Sequence, residues 1–490
     1  MSYLLALLSA ALLILTVPRW NIVWVAPVAL APLLVAVARE RRPLRRFLLG
    51  YITGIVYWVG VCYWIQFVLT FHGGLGEVAG WAVFVLFCLA KGLHLGAFAL
   101  LAGIAIRTFW AVPAVAALWV AIEATHGSLG FAWHALGNAG VDMGIPMRLA
   151  PFSGVYGLSF VFMMMSTALA LALLRRPRQQ LLWLATLPFL IFLPPLPDAQ
   201  KGRETALIIQ PDLPETTQWT AESVERTQQR LVGLSMRAVL TVGDSSSLLV
   251  WPEMPGPFYY YEDERLREDV TNLARIARTH FLLSVVGKTS DGAPLNSALL
   301  VSPAGEPVSR YDKIKLVPFG EFVPWPFWFA NNISSEISDF KPGNKVVVSS
   351  LGDHRLSAFI CYESVFPDLV RRFPANGAEV LFNLSNDGWF GKSAAREQHL
   401  KIVRMRAAEN RRWIVRATND GLTATIDPAG RVFQLLPQYV EAAARTHFSY
   451  ISAQTVYTRF GNWFALLCAA LAAAGLLAAT RAGSLARPRP

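Results

Sequence analysis

The chain has 490 residues, of which 54% are hydrophobic, and its mean hydropathy is +0.40. This composition excludes an ordinary soluble enzyme and indicates a polytopic membrane protein. The net charge of +11 lies in the apolar parts, because residues 1–199 and 456–490 hold 16 Lys/Arg and 5 Asp/Glu, whereas residues 200–455 hold 28 of each. That distribution is typical of membrane topology and argues against a nucleic-acid partner.

Apolar stretches of about 20 residues are long enough to cross a bilayer, and the sequence predicts eight of them. The first is interpreted as a span and not as a cleaved leader, because it lacks a basic segment and a small-residue cleavage site before Arg19. The eight spans are residues 3–18, 21–38, 47–70, 79–106, 109–125, 153–174, 180–196 and 460–480.

Three polar side chains, Lys91, His94 and Glu123, fall inside these predicted spans. Charged groups at membrane depth are costly, so they usually face the bundle interior or a wet cavity. A structural ion pair is the simpler interpretation, and the sequence leaves both open.

The orientation follows from basic residues, which favour the cytoplasmic side of short loops. Near the membrane, twelve Arg residues fall on one face and three on the other, which predicts cytoplasmic termini and an external central region. The two groups are Arg39, Arg41, Arg42, Arg45, Arg46, Arg107, Arg175, Arg176, Arg178, Arg481, Arg487 and Arg489 against Arg19, Arg148 and Arg459.

These patterns divide the chain into a transmembrane domain over residues 1–199, an extracytoplasmic domain over 200–455, and a C-terminal transmembrane helix with a basic tail over 456–490. In the central region, strand-like runs alternate with helix-like stretches, which favours an α/β domain with layered sheets. The strands are predicted at 206–211, 247–253, 281–287, 297–303, 356–363 and 380–386, and the helices at 220–240, 262–280 and 394–412.

Cys361 is the single cysteine of the predicted outer domain, since Cys62, Cys88 and Cys468 fall inside spans. It has no partner for a disulfide within that domain, although the compartment is oxidising. A lone thiol there is either buried packing or a nucleophile, and packing is the commoner role.

Charged residues at the ends of other apolar runs change this balance. Glu253 follows a strand-like run directly, and Lys313 and Glu321 lie in an irregular segment with Pro and Gly. Taken singly, Glu253 is interpreted as a helix-capping acid, Lys313 as a solvated lysine and Glu321 as a surface acid. Together with Cys361 they match a thiol nucleophile, a carboxylate base and an ammonium that stabilises an oxyanion.

In this order along the chain, the Glu, Lys and Cys resemble the triad of the nitrilase superfamily. The whole chain, with eight spans and this domain before the last one, resembles the apolipoprotein N-acyltransferase family. The motifs that carry the resemblance are WPE at 251–253, Y-x-K-x-x-L-V-P-F-G-E at 311–321, CYE at 361–363 and SNDGWFG at 385–391.

The resemblance implies an α-β-β-α sandwich in which Glu253 is the general base, Lys313 the oxyanion stabiliser and Cys361 the nucleophile. A lysine near the thiol is also expected to favour the thiolate. Other important family positions map onto Trp219, Glu321, Tyr362 and Glu363. Asp212 departs from the Asn that is frequent in the family, which concerns a substrate loop and not the triad.

The implied activity is a two-step acyl transfer in the bacterial cytoplasmic membrane, without cofactor or metal and by a monomer. A membrane phospholipid gives its acyl chain to Cys361, and the α-amino group of a diacylglyceryl apolipoprotein accepts it. The apolar residues Phe322, Trp325, Phe327, Trp328 and Phe329 are expected to insert into lipid or line the acyl path, or else to form a buried loop core. Trp219 is expected either to act as a lid or acyl-chain contact or to pack in the core.

Two other functions remain open on the sequence. One is a membrane-anchored amidase or nitrilase that uses water, which does not explain eight spans. The other is a transporter or receptor with an inactive binding module, which does not explain three intact triad residues. The His residues show no metal-ligand spacing in the outer domain, and no Gly-rich phosphate loop follows a strand.

Overall fold

The computed structural model describes residues 1–128, 130–215, 219–242, 246–322 and 340–485. The chain forms two compact units. The first, here the helical unit, comprises Met1–Tyr63, Trp81–Leu196 and Arg459–Pro490. The second, the sandwich unit, comprises Trp64–Gly80 and Pro197–Thr458.

The first 200 residues are helical because long apolar runs satisfy their backbone polar groups internally. In chain order the α-helices are α1 (Ser2–Leu15), α2 (Ala31–Arg39), α3 (Pro43–Cys62), α4 (Trp64–Phe71), α5 (Gly76–Ala105), α6 (Ala111–Ser128), α7 (Ala150–Ser153) and α8 (Val155–Leu173). The described part of this region also contains 3₁₀ helices, between α1 and α2 at Val23–Val28, between α6 and α7 at Leu136–Asp142 and Pro146–Leu149, and after α8 at Arg178–Phe192.

Two helices among the described residues, α5 and α8, are long and apolar enough to cross a membrane. A third candidate arises if the broken pair α3 and α4 is taken as one span. Helical segments lie at each of the eight predicted spans, but the others are shorter apolar helices, and residues 180–196 fall largely within a 3₁₀ helix. The prediction of a membrane domain is thus supported, whereas its count of eight spans is not confirmed.

The polar groups inside the predicted spans do not form the simple ion pair considered above. Lys91 Nζ contacts His126 Nδ1 and donates to the carbonyl oxygen of Phe131 at 3.1 Å. Glu123 Oε1 instead accepts hydrogen bonds from the indole of Trp119 at 3.1 Å and the backbone of Leu136 at 2.7 Å. Lys91 and Glu123 therefore have different partners within the helical unit, and the ring of His94 stacks on that of His126 with centroids 4.1 Å apart.

The remainder of the chain alternates strands and helices. The strands are β1 (Glu204–Gln210), β2 (Leu248–Val250), β3 (His280–Lys288), β4 (Pro294–Val301), β5 (Pro307–Asp312), β6 (Ser349–Leu351), β7 (His354–Ile360), β8 (Val380–Ser385), β9 (Ile414–Thr418), β10 (Ala424–Ile426), β11 (Val432–Leu435) and β12 (Ala442–Phe448). The helices are α9 (Ala221–Val242), α10 (Glu264–Ala277), α11 (Pro367–Ala375), α12 (Ala395–Asn410), α13 (Val456–Phe460) and α14 (Trp463–Leu485).

Among the described residues, two six-stranded sheets form the sandwich, with strand orders β12-β1-β2-β3-β4-β5 and β11-β10-β9-β8-β7-β6. The sheets face each other, with β1 and β12 against β9, and β4 against β7. Helices α9 and α10 cover the first sheet, where alternate residues such as Leu207 and Ile209 join a core with Leu231 and Leu273. Helix α12 packs beside α11 and against the short helix that follows β7. The arrangement is the expected α-β-β-α sandwich.

Several elements of the sandwich were not predicted. Strand β5 is polar and half exposed, β12 begins with three Ala, and α11 contains two Pro. Lys313 lies in irregular chain as expected, and the strand that was not expected is β5, which ends one residue before it. Pairing with β4 imposes the strand there, from Ser297 opposite Asp312 to Leu300 opposite Ser309, whereas local sequence does not favour it.

Candidate active site

Glu253 lies two residues beyond the Trp251 that ends the apolar run of β2, and its side chain is buried. Its Oε1 accepts hydrogen bonds from Lys313 Nζ at 2.9 Å and from Asn296 Nδ2 at 3.0 Å. Its Oε2 accepts from the backbone N–H of Asn386 at 3.0 Å. Donors from β4, from the end of β5 and from the end of β8 therefore hold both oxygens of one carboxylate.

Lys313 is 1% exposed and sits between two carboxylates. Its Nζ donates to Glu253 Oε1 and to Glu321 Oε1, each at 2.9 Å. Burial opposes the charge, but the carboxylates of Glu253 and Glu321 outweigh it and raise the pKa of Lys313 above its ordinary value. The site therefore contains a fixed ammonium that is kept charged by its neighbours.

Asn296 is a member of this cluster that sequence reasoning missed. It is 2% exposed, and its Nδ2 bridges Glu253 Oε1 at 3.0 Å and Glu321 Oε1 at 2.8 Å. Glu321 is held further by the N–H of Val317, which donates to Oε2 at 2.8 Å. One signal was present: a buried Asn in the apolar strand LNSALLV requires a polar partner.

Cys361 follows the last residue of β7 and adopts a left-handed backbone conformation with φ of +48°. Its side chain is buried, with 6% exposed. Burial and then the charge of Glu253 raise the pKa of the Cys361 thiol well above its ordinary value, while Lys313 and a hydrogen bond with Ser385 offset only part of the rise. The ammonium of Lys313 lowers the pKa of the thiol, as expected, but burial outweighs this effect.

Glu363 holds the loop that carries Lys313. Its Oε1 accepts from Tyr311 Oη at 2.6 Å and from the N–H groups of Ile314 at 2.7 Å and Lys315 at 3.2 Å. Its Oε2 accepts from the N–H of Ile360 at 2.7 Å, just before the cysteine. Burial raises the pKa of Glu363, and these donors oppose the rise. The carboxylate ties the ends of β5 and β7 together.

The remaining predicted residues lie further out. Tyr362 is buried, and its ring meets Phe366 edge-on with centroids 5.2 Å apart. Trp219 is 39% exposed, so it does not form part of the core. Phe322 is partly buried and packs against the cluster of Val286, Leu316 and Phe340. Trp325, Phe327, Trp328 and Phe329 lie outside the described residues.

No cluster of three or more His, Cys, Asp or Glu side chains suited to a metal ion occurs in the described part of the chain. The chemistry available at the site is that of the groups just described: a neutral thiol, a carboxylate within electrostatic reach of it, and a charged ammonium. These suffice for nucleophilic attack with proton transfer to a base.

The chain is similar to known proteins over nearly all of its length. Residues 208–453 match the family model described as carbon-nitrogen hydrolase, and residues 9–168 match the apolipoprotein N-acyltransferase N-terminal domain. An apolipoprotein N-acyltransferase of Geobacter metallireducens is 33% identical over 96% of this chain and 94% of its own length. The chain belongs to the apolipoprotein N-acyltransferase family. Another family member, from Nitrosomonas europaea, is 32% identical over 92% of both chains.

One solved structure with similarity to this apolipoprotein N-acyltransferase family member is an amidase from Nesterenkonia sp.. The two are 18% identical, the match covers 55% of this chain and 97% of the amidase, and the TM-score is 0.41. At this identity and TM-score the amidase adds nothing to the family membership, which the two family models and the full-length relatives show.

Proposed function

We propose that this protein is a phospholipid:apolipoprotein N-acyltransferase that transfers a fatty acyl chain through a thioester on Cys361. The observation that carries the proposal is the buried cluster in which Lys313 contacts both Glu253 and Glu321, with Glu253 and Lys313 within electrostatic reach of the Cys361 thiol. Full-length relatives bearing the acyltransferase name support the substrate class.

In the first half-reaction, Glu253 takes the proton of the Cys361 thiol, and the sulfur attacks the ester carbonyl of a phospholipid. The need for a base follows from the raised pKa of that thiol. Lys313 and the backbone N–H of Tyr362 stabilise the oxyanion. When the tetrahedral intermediate collapses, the alkoxide leaves with the proton from Glu253, giving a lysophospholipid and an acyl-thioester.

In the second half-reaction, the neutral α-amino group of a diacylglyceryl-cysteine attacks the thioester carbonyl. The same donors stabilise the second oxyanion, and Glu253 takes one proton from the attacking nitrogen. The C–S bond breaks, the sulfur receives that proton, and an amide is released. Lys313 remains protonated throughout because its two carboxylate neighbours stabilise its charge.

The proposed setting is the bacterial cytoplasmic membrane, with residues 200–455 on the outer side and both termini in the cytoplasm. Eight spans over residues 1–199 and 456–490 follow from hydropathy and from the Arg distribution. The segment Arg178–Phe192 illustrates why helix length alone does not decide the number of spans. A 3₁₀ helix rises about 2.0 Å per residue, so its 15 residues reach about 30 Å, which is about one bilayer core.

Intact-mass analysis of the protein purified from membranes tests the proposal. We expect a fatty-acyl adduct that hydroxylamine removes, that Cys361→Ala lacks, and that Cys468→Ala retains as a matched control. Adding a diacylglyceryl-cysteine peptide is expected to discharge the adduct and produce N-acyl peptide. N-acylation by Cys361→Ala would overturn the thioester route, and discharge to free fatty acid alone would favour an amidase-like hydrolase.

A further inference from the structure

The peptide unit between Cys361 and Tyr362 is contacted by a buried histidine, His399. The carbonyl oxygen of Cys361 lies 3.1 Å from Nε2 of His399, on α12. The same nitrogen lies 2.8 Å from Ser364 Oγ. His399 and Ser364 are both 0% exposed, so the imidazole approaches the nucleophile from within the protein.

This carbonyl matters because a peptide unit is planar and almost always trans. The carbonyl oxygen of Cys361 and the N–H of Tyr362 therefore point in opposite directions within one rigid group. A side chain that holds the carbonyl also fixes the direction of the N–H, which is the second oxyanion donor in the proposed reaction. A hydrogen bond to the carbonyl further polarises the N–H and strengthens it as a donor.

The other side of the imidazole is fixed by an ion pair. His399 Nδ1 lies 3.1 Å from both Asp387 Oδ1 and Arg416 Nη2. Arg416 Nη2 donates to Asp387 Oδ1 at 2.6 Å, and both side chains are 0% exposed. Burial and the charge of Arg416 lower the pKa of His399 despite Asp387. The lowered pKa favours the neutral ring, which carries its one proton on either nitrogen.

Packing prevents the ring from turning away. Phe390 meets His399 edge-on, with ring centroids 5.7 Å apart and planes at 89°. Cys361 itself needs support, because a left-handed φ of +48° is costly for a residue with a side chain. The contact to its carbonyl oxygen is placed where such support is needed.

We infer that His399 is a positioning residue whose Nε2–H donates to the carbonyl oxygen of Cys361 and so aims the N–H of Tyr362 at the acyl oxyanion. The inference rests on the proposed acyl transfer. Arg416 Nη2–H then donates to Nδ1, and Asp387 balances the charge of Arg416. In this role His399 acts through the peptide unit that joins Cys361 and Tyr362.

The test compares His399→Gln with His399→Met in the full-length enzyme. The amide nitrogen of Gln reaches the place of Nε2 and can donate, whereas Met fills the space without a donor. We expect His399→Met to lower kcat for transfer from phospholipid to a diacylglyceryl-cysteine peptide by about 10- to 100-fold, below the loss for a deleted oxyanion donor. KM is expected to stay unchanged, and His399→Gln to recover most of the rate.

Alkylation of Cys361 by iodoacetamide separates positioning from general damage, because this reaction forms no acyl oxyanion. We expect the alkylation rate of His399→Met to match that of the unchanged enzyme. Equal losses in alkylation and transfer would overturn the inference, as would full transfer activity in His399→Met. Recovery by His399→Asn in place of His399→Gln would also overturn it, because Asn places its donor near Nδ1.

Ser364→Ala gives a second, milder test if His399→Met does not fold. Removing the hydroxyl leaves the carbonyl of Cys361 as the acceptor for Nε2–H, so we expect transfer to be retained within a few-fold. A loss as large as that expected for His399→Met would place the proton toward Ser364 and end the inference. Inactive Cys361→Ala together with fully active His399→Met would overturn this inference alone and leave the proposed function intact.

Discussion

Among single residues, the site depends on carboxylates in which both oxygens accept hydrogen bonds. Glu363 accepts three backbone N–H groups and one hydroxyl. A carboxylate is the one common side chain that offers only acceptors. Its isosteric amide would turn one oxygen into a donor that faces other donors.

We therefore expect Glu363→Gln to lower the free energy of unfolding by about 1–3 kcal/mol, the cost of buried unpaired donors. Tyr311→Phe is the control, because it removes one donor from an oxygen that keeps two others, and it should cost about 1 kcal/mol. Thermal unfolding of the detergent-purified proteins measures both. Equal stability of Glu363→Gln and the unchanged protein would contradict this account of the loop.

Glu215 predicts a pH dependence of stability. Burial and the charge of Asp420 raise its pKa from 4.5 to about 7, despite hydrogen bonds with Asn386 and Asn419. Between these two values the folded protein binds a proton that the unfolded chain has lost, so stability falls as pH rises through this range. We expect Glu215→Gln to remove that fall. Unfolding temperatures from pH 4.5 to pH 8 that run parallel for the two proteins would contradict the prediction.

At the scale of elements, the loop before α9 is fixed by contacts with two other loops. Asn419 Oδ1 accepts from the N–H of Leu213 at 2.9 Å, and Asn419 Nδ2 donates to the carbonyl oxygen of Leu213 at 2.8 Å. Glu215 then packs against Gly388 so closely that a Cβ there would lie 1.9 Å from its Oε1. A glycine is required at that position because of this approach.

We expect Gly388→Ala to destabilise the protein by about 1–3 kcal/mol through overpacking. The cost should shrink in a Glu215→Ala background, because the two changes share one contact. Gly233→Ala is the matched control: its new Cβ meets only Arg237 Nη1, at 3.6 Å, and a helix interior gains up to about 1 kcal/mol from Gly to Ala. Additive effects of Gly388→Ala and Glu215→Ala in thermal unfolding would argue against the contact.

At the scale of the whole molecule, the sandwich unit holds the chain segments that enter and leave it. Arg431 Nη2 donates to the carbonyl oxygen of Pro197 at 2.6 Å, at the incoming segment. Arg412, which is 0% exposed, donates to the carbonyl oxygens of Ala453 at 2.6 Å and Ser452 at 3.3 Å in the outgoing segment. It also donates to the carbonyl oxygen of Ala378 at 2.9 Å, just before β8. Guanidinium groups therefore hold both the incoming and the outgoing segment.

We expect Arg412→Lys to lower the free energy of unfolding by about 1–3 kcal/mol, since one ammonium cannot reach the carbonyls that a planar fork serves. Amide hydrogen exchange should increase in residues 449–455. Arg226→Lys is the control, because Arg226 pairs with Glu222 on the surface, with side chains 74% and 82% exposed, and such pairs are worth about 0–1 kcal/mol. Unchanged exchange in that segment would show that Arg412 does not anchor it.

Much of the fold and of the candidate site could be predicted from the sequence, because the signals for them are local. Apolar runs predicted the helices, strand-like runs predicted β1 to β4, β7 and β8, and the order of Glu253, Lys313 and Cys361 indicated the family. The polar β5 and the Ala-rich β12 were missed because their strand conformation comes from pairing, of β5 with the neighbouring β4 and of β12 with β1 far back in the chain, as in Glu204 opposite Phe448. Local propensity cannot report such pairing.

The apolar helices, the α/β class and the candidate residues could be predicted without coordinates, since each depends on residue type or on a period of a few positions. The folded structure was needed to show that Asn296 bridges two carboxylates, that burial raises the pKa of the Cys361 thiol, and that His399 lies behind the nucleophile. These facts depend on distances between residues 25 to 43 positions apart and on exclusion of water. Both arise when the sheets pack, so no local pattern in the chain encodes them.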